Sequence, residues 1–184
     1  MKPKDQHVVR QRLTPDLVLG HLRTRDFAVL STVGEDGRPS SAGVTYRMTG
    51  TGPEPVVYVM TRRHLQKERN IERNPNVSLV VPLTRRLLWF IPPPTIQLCG
   101  RAEILDGTDE QGTRTFRGFW LGRRILDAYR RSQRRGETWI CFLKITLDPV
   151  ISTYMVGCSI WELSRRMEAG AAKVVIPGRA TRPA

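Results

Sequence analysis

A threonine and three cations gather where an apolar run turns polar: Thr61, Arg62, Arg63 and Lys67, within YVMTRRHLQKERNIERNP (58–75). Hydroxyl, guanidinium and ammonium are all hydrogen-bond donors, and two of the three carry charge. Such a set suits a phosphate dianion, with guanidinium as a fork and ammonium as a point charge. The run also enters a helix, whose first free N–H groups and dipole favour an anion. A solvated helix face has the same composition, so the segment alone leaves both readings open. The rest of the chain offers no Ser/His/Asp set that would make a nucleophile. His7, His21 and His64 lack metal-ligand spacing, so no metal site is expected. The chemistry therefore has to come from a bound group, with no catalytic side chain assigned.

The elements that must position these residues come from one chain of 184 residues, enough for a single domain with a core. Thirty Lys and Arg against 17 Asp and Glu give +13, which favours anionic partners. Cys99, Cys141 and Cys158 are odd in number, include no CxxC, and lie in apolar runs. That argues against a disulfide framework and for buried thiols in a reducing, cytoplasmic setting. Met1 to Arg12 has no apolar centre of the kind a signal peptide needs, and no apolar run approaches the ~20 residues of a membrane span.

Thr14-Pro15-Asp16 reads as a helix start, with cap, first-turn proline and acid in order, and the helix is expected to stop near Thr24. Strands are expected at 27–33, 40–48, 56–61, 77–82, 95–105, 138–147 and 150–157. GEDGRP (34–39) makes the first hairpin turn. The basic helix runs from about Arg63 to Arg73 and closes at Asn74-Pro75. One or two further helices span about 109–135, and residues 165–184 form a basic tail expected to be partly mobile. Seven strands on short connections form an antiparallel barrel or sandwich in one domain.

FAVLSTVGEDGRPSSAGVTYRM, then VYVMTRRHLQKERNIERNPNVSLVVP, then IQLCGRAEIL resemble the pyridoxamine 5′-phosphate oxidase-like family of FMN-binding split β-barrels. The resemblance covers about Leu13 to Leu105, with an echo in FLKITLDPVISTYMVG. It implies a mainly β split barrel with flanking helices over residues 1–164. It also implies a homodimer, FMN in clefts between the subunits, and oxidoreductase chemistry on a small molecule. By the same resemblance Thr61 and Lys67 hold the cofactor phosphate, helped by Arg62 and Arg63. Gly43, Val44, Thr45 and Tyr46 lay backbone groups along the flavin ring, and Gln97 reaches the cofactor, often across the dimer.

Two departures speak against pyridoxamine phosphate as the substrate. Ile96 stands where such oxidases carry an arginine, and GCSIWELSRRMEAGAAK lacks their C-terminal histidine motif. The Trp89–Pro94 stretch reads as a lid or as dimer packing. Three other readings stand beside FMN: the deazaflavin F420 on the same fold, a flavin or haem carrier without turnover, and nucleic-acid binding through RRSQRR (130–135). The last is disfavoured, because the basic residues are not interleaved with stacking aromatics.

Overall fold

The structure, a computed structural model, describes residues 13–50, 55–83, 93–136, 139–157 and 170–176. Helix α1 (Pro15–Arg23) starts where Thr14 Oγ1 accepts the Leu17 N–H at 3.3 Å, and Thr24 is its C-cap. Strands β1 (Phe27–Val33), β2 (Pro39–Thr49) and β3 (Val56–Arg62) follow, then α2 (Gln66–Arg73), β4 (Asn76–Pro82) and β5 (Thr95–Asp106). Helices α3 (Glu110–Arg117) and α4 (Trp120–Arg134) lead to β6 (Ile140–Tyr154) and β7 (Ala171–Val175).

The sheet order is β3-β2-β1-β4-β5-β6-β7, and β3 also pairs with β6. That second pairing closes six antiparallel strands into a barrel and leaves β7 on the far half of β6. Alternation along the strands sends Leu30, Tyr46, Val57, Val59, Leu79, Ile96, Leu98 and Ile145 inward. Helices α1 and α2 add Val18, Leu22 and Ile71 to the same cluster. Tyr46 ties α1 down, its buried hydroxyl donating to the Leu22 carbonyl at 2.8 Å. A second cluster lies under α3 and α4, where Phe116 and Leu126 meet Tyr58, Met60 and Phe142 from the other face of β3 and β6.

Two expectations change. Residues 138–147 and 150–157 do not form separate strands: β6 runs unbroken from Ile140 to Tyr154. Asp148-Pro149 looks like a break in sequence. In the fold it sits where the β5–β6 register shifts between Leu98 and Gly100, an irregularity that accommodates a residue lacking a ladder donor. Gly100 belongs to the same adjustment, since a Cβ there would lie 2.4 Å from the Thr146 carbonyl oxygen. The seventh strand lies instead at Ala171–Val175, within the stretch expected to be a tail, paired to Val150–Tyr154. Its Val174 is buried in the barrel cluster, which explains the order there. Trp89 and the Cys158–Glu168 stretch lie outside the described residues; among the described ones, the Leu83 N–H donates to the Pro94 carbonyl at 2.7 Å.

Candidate functional site

Alternation places Thr61 two residues beyond Val59, on the inner side of β3, where it is buried. Lys67 stands in the first turn of α2, and its Nζ donates to Thr61 Oγ1 at 3.3 Å. Hydroxyl and ammonium therefore converge, and the helix start adds the first-turn amides of Gln66 and Lys67, which have no acceptor within the helix. Partial burial lowers the Lys67 pKa, and the neighbouring Arg62 charge lowers it further. An anion placed here would relieve both effects.

The two arginines part company. Arg62 is exposed. Arg63 turns to carboxylates, with Nε 3.8 Å from Glu68 Oε1 and Nη2 3.9 Å from Asp106 Oδ2. Its backbone N–H donates to the Trp139 carbonyl at 2.9 Å. Hydrogen bonds from the Thr108 amide and hydroxyl hold the Asp106 carboxyl below its usual pKa, so it stays an anion for Arg63.

Glu68 does the work of a cap. Leu65, at the N-cap, has no side-chain oxygen, and the buried Glu68 carboxylate reaches back to accept the His64 N–H. The bond resembles the return arm of a capping box, taken one residue earlier than the N-cap itself. It holds His64 at φ 64°, a left-handed turn that swings the chain from β3 into α2. One turn on, Asn70 is fully buried: its Nδ2 donates to Thr32 Oγ1 and its Oδ1 accepts from Gln66 Nε2, both at 2.9 Å. The helix is thus bolted to β1 by a polar bridge. Cys141 pairs opposite Thr61 in the β3–β6 ladder; burial first and Glu68 second push its thiol up to about 12. It is a neutral wall, not a nucleophile. Cys99, by contrast, is exposed, so the expectation of uniformly buried thiols fails there: β5 alternates and Cys99 falls on its outer face.

Sequence reasoning singled out Thr61 and Lys67, whose side chains the structure brings together, and did not single out Glu68, Asn70 or Asp106 around them. The acid at the third helical position was a legible signal for Glu68. Asn70 gave none, since a helix interior disfavours asparagine and only the fold supplies its partners.

Gly43–Tyr46 lie on β2, the strand that adjoins β3. The β2–β3 ladder covers Tyr46–Thr49 against Val56–Val59 and stops there, while Met60–Arg62 continue against β6. Residues 40–45 of β2 therefore part from β3 and present a backbone edge next to Thr61. Gly43 and Thr45 face outward, while Val44 and Tyr46 point into the core. The Phe27 ring lies over Gly43, 3.1 Å from where a Cβ would stand. Gln97 is exposed on β5 and donates to Ser78 Oγ at 3.3 Å. It shares a row with Gly43 through Val29 and Val80, three strand spacings or roughly 14 Å away. Within one chain Gln97 does not meet the Thr61–Lys67 anchor. A cavity of about 760 Å³ lies elsewhere, between the end of α2, β5 and the bend of β6, and contains none of these residues.

The sequence profile described as pyridoxamine 5′-phosphate oxidase matches residues 15–150. No curated protein sequence matches the chain. Among solved structures, General Stress Protein 26 from Bacillus anthracis is 24% identical, with a TM-score of 0.50 over 75% of this chain and 91% of that one. A putative pyridoxamine 5′-phosphate oxidase from Listeria innocua is 20% identical, with a TM-score of 0.50 over 74% and 94%. HutZ, the heme storage protein from Vibrio cholerae, is 15% identical, with a TM-score of 0.54 over 73% and 89%. These likenesses give the split-barrel fold. The profile match spans most of the 184 residues, from α1 through the bend of β6, and on that ground the chain belongs to the pyridoxamine 5′-phosphate oxidase family.

Proposed function

We propose that the protein is an FMN-binding oxidoreductase that works as a homodimer on a small-molecule substrate other than pyridoxamine phosphate. One observation carries the reading: the β2–β3 ladder ends beside a converged hydroxyl and ammonium. A flavin mononucleotide needs an anionic anchor and hydrogen bonds along its ring edge, and these lie on adjacent strands. Thr61 and Lys67 take the phosphate, with Arg62 free to add a fork from solvent. Arg63 acts as a positioning residue, since Glu68 and Asp106 engage it. The backbone of Gly43–Tyr46 takes the ring edge. The bound flavin supplies the redox chemistry, and the protein supplies placement and electrostatics.

The dimer is supported by the row Gly43–Val29–Val80–Gln97. Its middle residues are valines on the outer sheet face, and Phe27 beside them is 50% exposed. Apolar residues in such a place suit a partner subunit, and a partner would bring its own Gln97 to the cleft. Among the described residues no helix is long and apolar enough to cross a membrane. We place the protein in the cytoplasm, with Cys99 and Cys141 as free thiols.

The visible absorbance spectrum of the purified protein, taken before and after a reductant, tests the cofactor. The expected result is a flavin spectrum that bleaches on reduction and releases FMN on denaturation. A deazaflavin spectrum would move the protein to F420 chemistry on the same anchor. A haem spectrum, or a colourless protein that takes up no FMN, would overturn the reading.

A further inference from the structure

The cavity between the last turn of α2, β5 and the bend of β6 is an open groove of about 760 Å³. Buried Ile71, Ala102, Leu147 and Pro149 give it an apolar floor. Exposed Glu72, Glu103 and Asp148 line it as well. On a chain of +13, three carboxylates around one concavity run against the charge of the whole. None of the three forms an ion pair with a described residue, and Lys144, opposite Glu103 in the β5–β6 ladder, forms none with it. Of the two arginines in the lining, Arg73 is engaged by Glu35 at 2.8 Å, which leaves Arg101 to offset the acids. The local balance is acidic and favours a cationic occupant with a small apolar part.

The chain itself arrives at this wall. Strand β7 runs back along β6 as far as the Val150–Val175 pair, and the Ile176 N–H then donates to the Pro149 carbonyl at 2.8 Å. Ile176 is buried in the barrel cluster, so its place beside the groove is fixed. Residues 177–184, PGRATRPA, continue from it and lie outside the described residues. They hold two arginines, no acid, and otherwise only Pro, Gly, Ala and Thr. Proline disfavours a helix there, and in an extended chain of three residues per turn Arg179 and Arg182 share a side. Eight extended residues reach at most roughly 26–29 Å. β5 stands one strand spacing, roughly 5 Å, from β6. The end of α2 is tied to β5 by the Ala102 N–H donating to the Pro75 carbonyl at 2.8 Å. Every wall of the groove is within reach of the segment.

We propose that this groove is the docking site of the chain's own residues 177–184, with Arg179 and Arg182 set against Glu72, Glu103 and Asp148. Guanidinium and carboxylate make charge-assisted hydrogen bonds, and the small residues between the arginines suit the apolar floor. Tethering at Ile176 supplies a high effective concentration, so weak contacts suffice. The groove shares no residue with the Thr61–Lys67 anchor, and docking stands whether or not that anchor binds FMN.

Zero-length cross-linking of the full chain tests the proposal. Arg179→Lys with Arg182→Lys keeps both charges and gives the segment amines that a water-soluble carbodiimide joins to any carboxylate in contact. Peptide mapping by mass spectrometry should find links from position 179 or 182 to Glu72, Glu103 or Asp148, in a product with the mass of one chain. The yield should fall severalfold at about 1 M salt, where the screening length is ~3 Å. Adding Glu103→Gln and Asp148→Asn should also lower the yield at Glu72 severalfold, because the segment loses its hold. No link to the groove, or equal links to Glu35, Asp36 and Glu110, exposed carboxylates outside it, would overturn the docking. So would an unchanged yield at Glu72 in the combined variant. Links that join two chains would give the groove to the segment of a second copy and overturn the assignment to its own chain.

Discussion

At the scale of single residues, Glu68 and Lys67 have opposite relations to stability. Glu68 is buried, caps α2 through the His64 N–H, and faces Arg63. Glu68→Ala removes the cap and leaves a donor unsatisfied, at a cost of about 1–2 kcal/mol in chemical denaturation. A change within experimental error would show that the cap is idle. Lys67 is half-buried as a cation, and burial lowers its pKa. Its charge is fully present below that lowered pKa and is lost as pH rises through it. Phosphate of the ligand is already a dianion above pH ~6. The affinity for FMN relative to riboflavin should therefore hold at neutral pH and fall on alkaline titration, earlier than an ordinary lysine would dictate. A preference that stays flat through the alkaline range would mean that Lys67 does not carry it.

Among the elements, the bend of β6 and the turn into α2 decide where the site lies. Gly100 lets β5 cross against β6 at the register shift, and a Cβ would press on the Thr146 carbonyl at 2.4 Å. Backbone cannot give way as a flexible side chain does. Gly100→Ala should cost about 1–3 kcal/mol, the range for forced overpacking. An unchanged denaturation midpoint would contradict so close an approach. The same region shows what was legible beforehand. Short-range signals were sufficient for α1, whose cap, proline and acid stand in order, for β1, β4 and β5, whose alternation is regular, and for β3, a short apolar run bounded by a loop and a basic segment. Thr61 and Lys67 were also visible, because a strand end and a helix start are both local features. Asp148-Pro149 misled, since whether a proline ends a strand or sits at an irregularity depends on its neighbour across the sheet. Residues 171–175 were missed because their partner is the outer half of a strand taken to be two. Arg63 was visible as a cation, but its attachment to Asp106, 43 positions on, belongs to the closed barrel.

For the whole molecule, the proposed site needs two copies, because within one chain Gln97 lies three strands from Gly43, at the far end of the same row. Sedimentation at micromolar concentration should give a dimer. Val29→Arg, an outward change at the centre of the valine row, should give a folded monomer with weakened FMN binding. A dimer that survives this change would place the interface on another face. The central claim is the phosphate anchor, and the most direct measurement is a titration of the apoprotein with FMN and, separately, with riboflavin, which lacks the phosphate. Wild type should prefer FMN strongly. Lys67→Ala should lose about 10- to 100-fold in FMN affinity, the scale of one charge-assisted contact of ~1.5–3 kcal/mol, with little change toward riboflavin. Arg69→Ala, farther along α2 and exposed, should leave the preference in place. A Lys67→Ala protein that keeps the full preference for FMN would contradict the anchor.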